Sequence, residues 1–400
     1  MHGFAFGMLK EIVPKRSRVN NSASAEPSKD GFPHFMLKEI YEQPDALRRL
    51  LAGSMSSSQG SKLALGEFGL KPAMVRKLSR ITIAASGSSR HAGMAGEFMI
   101  ERMAGIDVET DFASQYCYRD PVVEPNELVV LISQSGTTVD TLAALRLARK
   151  KHARTLAICN VPNTPLTREA DATLLTHAGE EVAIAATKSF ITQLAALLVF
   201  GAYMAQQRRS RSVAAAKAVG ELRNLPEYVE RALHTAERCQ ELAQQFQRYE
   251  DFIYAGRDID YPIAMEGALK LKEVSYLHSE GYPTGELKHG PTALINEQLP
   301  IVAIATHDHR DKDSVMRYRK TVANIREFVE RRIPVLAVVS KGDKQIAQLT
   351  PHTVEVPDVP VLLQPIVEVV PLQFLAYYIA VLRGRDVDRP RNLSKSVVVE

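Results

Sequence analysis

The chain has 400 residues, 45% of them hydrophobic, and a formal net charge of +4. That is ample material for two packed domains, and its positive charge is too small and too dispersed for a nucleic-acid surface. Its three cysteines, Cys117, Cys159 and Cys239, form an odd, widely spaced set that suits neither a disulfide framework nor a zinc site and fits a reducing, cytoplasmic setting. No signal-peptide pattern opens the chain, and the longest apolar run, 194–205, is too short to span a bilayer, so no membrane partner is expected.

Residues 14–31 (PKRSRVNNSASAEPSKDG) are rich in Ser, Asn, Pro and charge and are expected to form a flexible arm. A helix is expected over 35–51, interrupted early by Pro44, then a loop over 53–62. A regular pattern follows. Strand 81–85 (ITIAA) runs into the turn SGSSR (86–90) and a helix over 91–104. Strands are expected near 107–112 and at 128–132 (LVVLI). The second leads into the turn SQSGTT (133–138) and an amphipathic helix marked by Leu142, Leu145 and Leu147. Strand 155–159 and a long helix over about 187–206 close the unit.

A similar order recurs. Helical segments over 213–247 precede strand 251–255 and a helix over 262–278. Strand 300–305, helix 313–330, strand 334–339 and a short strand at 353–356 follow, and a long apolar helix over 361–383 closes this unit too. Strands alternating with helices predict an α/β fold of doubly wound parallel sheets covered on both faces. Two units of like order predict an internal duplication. Ligands in such sheets bind beyond the C-terminal strand ends, where strand order reverses.

The turn SQSGTT stands where a buried strand hands over to a helix. The first N–H groups of a helix have no partner within it, and its dipole favours an anion there. One such turn alone reads first as a Ser/Thr helix cap. Paired with SGSSR it reads as a phosphate cradle. If the two strands are neighbours, Ser88, Ser89, Ser133, Gln134, Ser135 and Thr138 face one point, with charge-assisted bonds of about 1.5–3 kcal/mol each.

In MEGALKLKEVSYLHSEGYPTGELKHG (265–290), Glu266, Lys270 and Glu273 fall at i, i+4 and i+7 and share one helical face. They form either a surface salt-bridge ladder or a base, Glu273, beside a cation, Lys270, that stabilises negative charge. The second arrangement is what moving a proton next to a carbonyl requires. The loop GELKHG holds Glu286, Lys288 and His289 between two glycines, as a solvated or a functional loop. The C-terminus, DRPRNLSKSVVVE, offers Lys395, whose amine reaches a ketone only if the tail is tied down.

SQSG, EGALKLKE, GELKHGP and NLSKSVVVE, in this order, resemble the isomerase half of the glutamine–fructose-6-phosphate aminotransferase, or glucosamine-6-phosphate synthase, family. HFMLKEIYEQP (34–44) resembles the segment that opens that half, and the likeness runs from about residue 31 to Glu400. It implies two doubly wound parallel-sheet sugar-isomerase (SIS) subdomains related by internal duplication. The implied division is an N-terminal arm over 1–33, a first subdomain with leading helices over 34–210, a second over 211–385, and a tail over 386–400 that carries the catalytic lysine.

The resemblance also implies a hexose 6-phosphate substrate, fructose 6-phosphate or glucosamine 6-phosphate. Its phosphate contacts fall on Ser88, Ser89, Ser133, Gln134, Ser135 and Thr138. The segment IAATK (184–188), with Ile184 and Ala186, and Ser394 line the sugar. Glu273 shuttles the proton, Lys270 stabilises charge and Lys395 forms the Schiff base. His289 opens the ring, reaching in from the partner of a homodimer with shared active sites. No metal and no organic cofactor is implied.

Three departures bear on affinity more than on reaction type. Thr137 stands where the family usually has Glu, Ala186 replaces a serine contact, and Ser86-Gly87-Ser88-Ser89 replaces Cys-Gly-Thr-Ser. The family's glutaminase domain, with its N-terminal cysteine nucleophile, has no counterpart, since the sequence begins Met1-His2 and its first cysteine is Cys117. Glutamine hydrolysis is therefore not expected of this chain. Free ammonia, a separate amidotransferase subunit, bare interconversion of hexose phosphates, or a place within a longer synthase are the open alternatives. Two rival readings stand beside the synthase one. A deaminase of the SIS class matches the GELKHGP loop and NLSKSVVVE tail less well. A non-catalytic sugar-phosphate-binding regulator would have no need of Glu273, His289 and Lys395 together.

Overall fold

The structure, a computed structural model, describes residues 27–54 and 69–397. The expected arm up to residue 26, the expected loop from residue 55 on, and the last three residues of the tail lie outside the described residues.

Among the described residues, ten strands form two five-stranded sheets, and every pairing within them is parallel. The first holds β1 (Arg80–Ala85), β2 (Asp107–Phe112), β3 (Glu127–Ser133), β4 (Arg154–Cys159) and β5 (Ala172–Leu175) in the order β2-β1-β3-β4-β5. The second holds β6 (Asp251–Gly256), β7 (His278–Pro283), β8 (Ile301–Ala305), β9 (Val335–Ser340) and β10 (Thr353–Val356) in the order β7-β6-β8-β9-β10. The winding is the same in both, so the expected duplication is a repeat of topology as well as of element order. β3, β8 and β9 are buried along their whole length. Helices cover both faces of a parallel sheet, which is why these strands are unbroken apolar runs.

Two helices carry the core. Lys188–Gln207 packs on Gly87–Ala104, and Gln364–Leu382 packs on Tyr261–Ser275. Gly96 sets the first approach, because a Cβ there would lie 2.9 Å from Leu197 Cδ1. One apolar cluster runs through both units by way of these helices. By length and composition, Lys188–Gln207 and the stretch Val361–Leu382 are each able to cross a membrane, which corrects the expectation drawn from the 194–205 run. That expectation counted only uninterrupted apolar residues. In the fold, 94% and 83% of their most apolar windows are buried inside the protein. They are apolar all round because other elements enclose them.

Three local expectations are corrected. SGSSR is not a free turn: Ser86 is the N-cap, and Gly87 already begins the helix. The helix expected to reach residue 278 stops at Ser275, where Tyr276 takes a left-handed conformation with φ 65°. The residues after it form β7, and Ala172–Leu175 forms β5, neither of which the pattern foretold. Both are short strands at a sheet edge, half covered, and so lack an apolar run.

Candidate active site

β1 and β3 are hydrogen-bonded neighbours, with Ala85 opposite Ile132, and they flank the reversal of strand order. Their C-terminal ends therefore bring the 86–90 and 133–138 segments together, as the phosphate reading requires. Within SQSGTT the hydroxyls hold the turn. Ser133 Oγ accepts from the Gly136 N–H at 3.0 Å and lies 3.1 Å from Thr138 Oγ1. Ser135 Oγ accepts from the Thr137 N–H at 3.2 Å and from its hydroxyl at 3.0 Å. Gln134 borders a cavity of about 480 Å³ shared with Arg49, Asn160 and Glu181.

Gly136 has φ +68°, and a Cβ there would overlap the Thr164 side chain. Gly136→Ala adds left-handed strain of about 1–2 kcal/mol to overpacking of about 1–3 kcal/mol. The expected result is a loss of about 2–5 kcal/mol in urea denaturation. Weaker sugar-phosphate binding should accompany it, and unchanged stability would show that the turn has slack.

The Glu266, Lys270 and Glu273 face is not a surface ladder. Glu266 and Lys270 are fully buried under the Gly87–Ala104 helix, while the Glu273 side chain stays 21% exposed. Lys270 Nζ donates to Ser88 Oγ at 3.1 Å, pairs with Glu273 Oε2, and lies 3.4 Å from Glu266 Oε1. His91 Nδ1 sits 2.8 Å from Glu266 Oε2. Burial pushes the Lys270 amine down, but Glu266 and Glu273 outweigh it and raise its pKa above the ordinary value. Burial likewise pushes the Glu266 carboxyl up, yet Lys270, His91 and Ser88 hold it below the usual range. Lys270 is thus a fixed cation, touching a serine of one strand-end segment and the partly exposed carboxylate of Glu273. Ser89 Oγ accepts from Gln193 Nε2 at 3.0 Å.

The tail is tied down. Lys395 Nζ donates to Glu181 Oε2 and to the Ala183 carbonyl, both at 2.6 Å. The Glu181 side chain is buried completely and accepts from the Thr187 and Ser189 N–H groups and the Ser189 hydroxyl. Burial pushes its carboxyl up, but the charge and hydrogen bond of Lys395, with Ser189, hold it below the ordinary range. The Val397 carbonyl accepts from the Val139 N–H at 3.1 Å, which places the tail on the first turn of the helix that follows SQSGTT. Asp388 accepts from the Phe35 and Met36 N–H groups, and its carbonyl accepts from the Ile184 N–H at 3.1 Å. Ala186 packs against the core. Ser394 is exposed and donates to the Ser396 carbonyl at 3.1 Å.

Sequence reasoning missed Glu181 and Glu39. Glu39 accepts from the Val182 N–H at 2.5 Å and the Ala183 N–H at 3.3 Å, in the loop that Lys395 also touches. Burial, then the charge of Glu181, pushes its carboxyl well up. The available signal was the acidic pair Glu180-Glu181 just before IAATK. Nothing local marks Glu39, whose partners lie more than a hundred residues away.

The structure does not bring His289 to this cluster. It is exposed in the short helical turn Glu286–His289 after β7. Among the described residues no hydrogen bond or ion pair joins it to Lys270, Glu273 or Lys395. Its neighbour Lys288 pairs with Glu327 at 2.8 Å.

The sequence profile of the SIS domain matches residues 74–202 and 245–383, one segment in each unit. The chain is 45% identical over 373 residues to a glutamine–fructose-6-phosphate aminotransferase (isomerizing) of Thermus thermophilus, covering 93% of this chain and 60% of the relative. It is 42% identical over 392 residues to the enzyme of the same name from Chlorobaculum tepidum, covering 98% and 62%. The chain thus spans about three-fifths of the length of these curated relatives. Among solved structures, the C-terminal domain of glucosamine-fructose-6-phosphate aminotransferase from Francisella tularensis superposes with a TM-score of 0.84 at 39% identity, covering 91% of this chain and all of that one. A glucosamine-6-phosphate deaminase from Thermotoga maritima superposes with a TM-score of 0.66 at 22% identity, a likeness of fold.

Proposed function

The chain belongs to the SIS-domain family, and from that premise we propose that it is a glucosamine-6-phosphate synthase isomerase domain acting on hexose 6-phosphates. The observation that carries this reading is the docked tail. Lys395 is held beside the loop that precedes IAATK, and the tail backbone reaches the helix behind SQSGTT. These contacts support reading Lys395 and the strand-end hydroxyls as the two ends of one site.

In this reading the sugar phosphate is anchored by Ser88, Ser89, Ser133, Gln134, Ser135 and Thr138. The Lys395 amine attacks the C2 carbonyl of open-chain fructose 6-phosphate and water leaves, giving an iminium; ammonia then adds at C2 and expels the Lys395 amine, leaving a C2 imine. Glu273 takes the proton from C1 and returns it at C2, and the Lys270 cation stabilises the charge that develops between the two steps. Binding energy spent on the distant phosphate holds C1 and C2 in register. His289, exposed on its own subunit, would serve the site of a partner chain to open the ring. The nitrogen donor for this domain is ammonia in the simplest case.

The test is an assay on fructose 6-phosphate with glutamine, with ammonium, and with neither. Glucosamine 6-phosphate is expected with ammonium, and hexose-phosphate isomerisation with neither. No turnover in any arm, and none from glucosamine 6-phosphate in reverse, would remove the enzymatic reading and leave the sugar-phosphate regulator.

A further inference from the structure

The first turns of the Gly87–Ala104 helix present two residues to the Tyr261–Ser275 helix of the other unit: Ser88 and, three residues on, His91. Both reach the acidic and basic face of that helix. Ser88 touches Lys270, and His91, which is buried, touches Glu266.

Two carboxylates compete there for one ammonium. Glu266 lies four residues before Lys270 and Glu273 three after it, so both can reach Nζ from the same helix. Glu266 has the stronger need. Its side chain is fully buried, out of reach of water, whereas the Glu273 side chain is partly exposed. A buried carboxylate left short of donors is strongly destabilising. Yet Lys270 Nζ bonds Glu273 Oε2 and Ser88 Oγ, while Glu266 Oε1 stands off at 3.4 Å.

His91 accounts for this. Burial pushes the Glu266 carboxyl up, but Lys270 and His91 outweigh it and keep it ionised. A carboxylate only accepts, so His91 Nδ1 carries the proton of the 2.8 Å bond to Oε2. That donor belongs to the opposite helix, so it satisfies one oxygen of Glu266 without drawing on Lys270. We propose that His91 is a positioning residue: by holding Glu266, it leaves the Lys270 cation on Glu273 and Ser88. The proposal rests on the reading of Glu273 as proton shuttle and Lys270 as its charge stabiliser. Without His91, the ammonium moves to Glu266 and away from both. One helix start thus serves the phosphate end through Ser88 and the reacting end through His91.

Steady-state kinetics of fructose 6-phosphate isomerisation by the whole chain test this, together with crystal structures of the variants. His91→Leu should lower kcat on the order of 10²-fold, the cost of a group displaced by about 1 Å. KM should hold, because Lys270 acts on charge that develops only between the two proton steps. His91→Asn sets an amide donor near the place of Nδ1 and should recover most of kcat. In a Glu266→Gln chain no buried carboxylate competes for Lys270 and none is left bare, so His91→Leu should fold there and lower kcat no further. A further loss in that background on the order of 10²-fold would overturn the proposal. So would a His91→Leu chain in which KM and the unfolding midpoint move and kcat does not. The crystal structure of His91→Leu decides the point apart from turnover: Lys270 Nζ is expected within hydrogen-bond distance of Glu266 and out of reach of Ser88. A parent chain without isomerase activity removes the functional reading, whereas a Lys270 that keeps its bond to Ser88 in His91→Leu overturns the positioning role whatever the activity.

Discussion

Glu273→Gln is expected to lower fructose 6-phosphate isomerisation by about 10²–10⁴-fold, the usual span for a positioned acid–base group, with sugar-phosphate affinity nearly unchanged. Gln keeps the size of the side chain and an oxygen that accepts from Lys270, so the pocket should hold its shape. What it lacks is a basic oxygen for the C1 proton. A purely structural role for Glu273 predicts something else. Lys270 would keep Glu266 as counter-ion, and the loss would appear in stability and in KM rather than in kcat. The expected split is therefore a fall in kcat at constant KM and constant unfolding midpoint. Mixing Glu273→Gln chains with His289→Ala chains should restore part of the activity if His289 serves a partner's site. Full activity in Glu273→Gln itself, or no recovery after proven subunit exchange, would count against these roles.

Much of this site was legible because its parts are local patterns. A buried apolar run, a hydroxyl-rich turn and an amphipathic helix announced β3 and the turn after it, while its pairing with β1 stood only as the condition that the phosphate reading needed. The i, i+4, i+7 spacing of Glu266, Lys270 and Glu273 marked a shared face, but the spacing is identical for an exposed ladder and a buried trio. Burial is decided by a helix about 180 residues earlier in the chain, which supplies Ser88 and His91. Glu181 and Glu39 were missed for the same reason: each acts through backbone N–H groups of a loop whose position depends on contacts distant in sequence. The edge strands β5 and β7 lie half covered, and a four- or six-residue strand without an apolar run leaves no period to read.

The tail lysine gives the second large effect. Lys395→Ala should abolish borohydride trapping of fructose 6-phosphate, because the amine proposed to form the reducible iminium is then gone. Glu181→Gln gives the sharper test. A carboxylate 2.6 Å from Nζ stabilises the resting ammonium. It stabilises the iminium equally, because the nitrogen carries the same charge in both. Glu181 therefore costs little in going from one to the other, while holding the nitrogen in place throughout. Because the bond acts alike on both states, Glu181→Gln should slow trapping only as far as the nitrogen loses its place, and the size of that fall reads how much of the positioning Glu181 supplies. The Lys395 side chain is 26% exposed and can turn to water, so the fold should survive and the loss should appear as a less ordered tail. Trapping that is unchanged in Glu181→Gln but lost in Lys395→Ala would mean that the Val397 and Asp388 backbone contacts alone position the nucleophile. Trapping retained in Lys395→Ala would place the Schiff base on another lysine altogether.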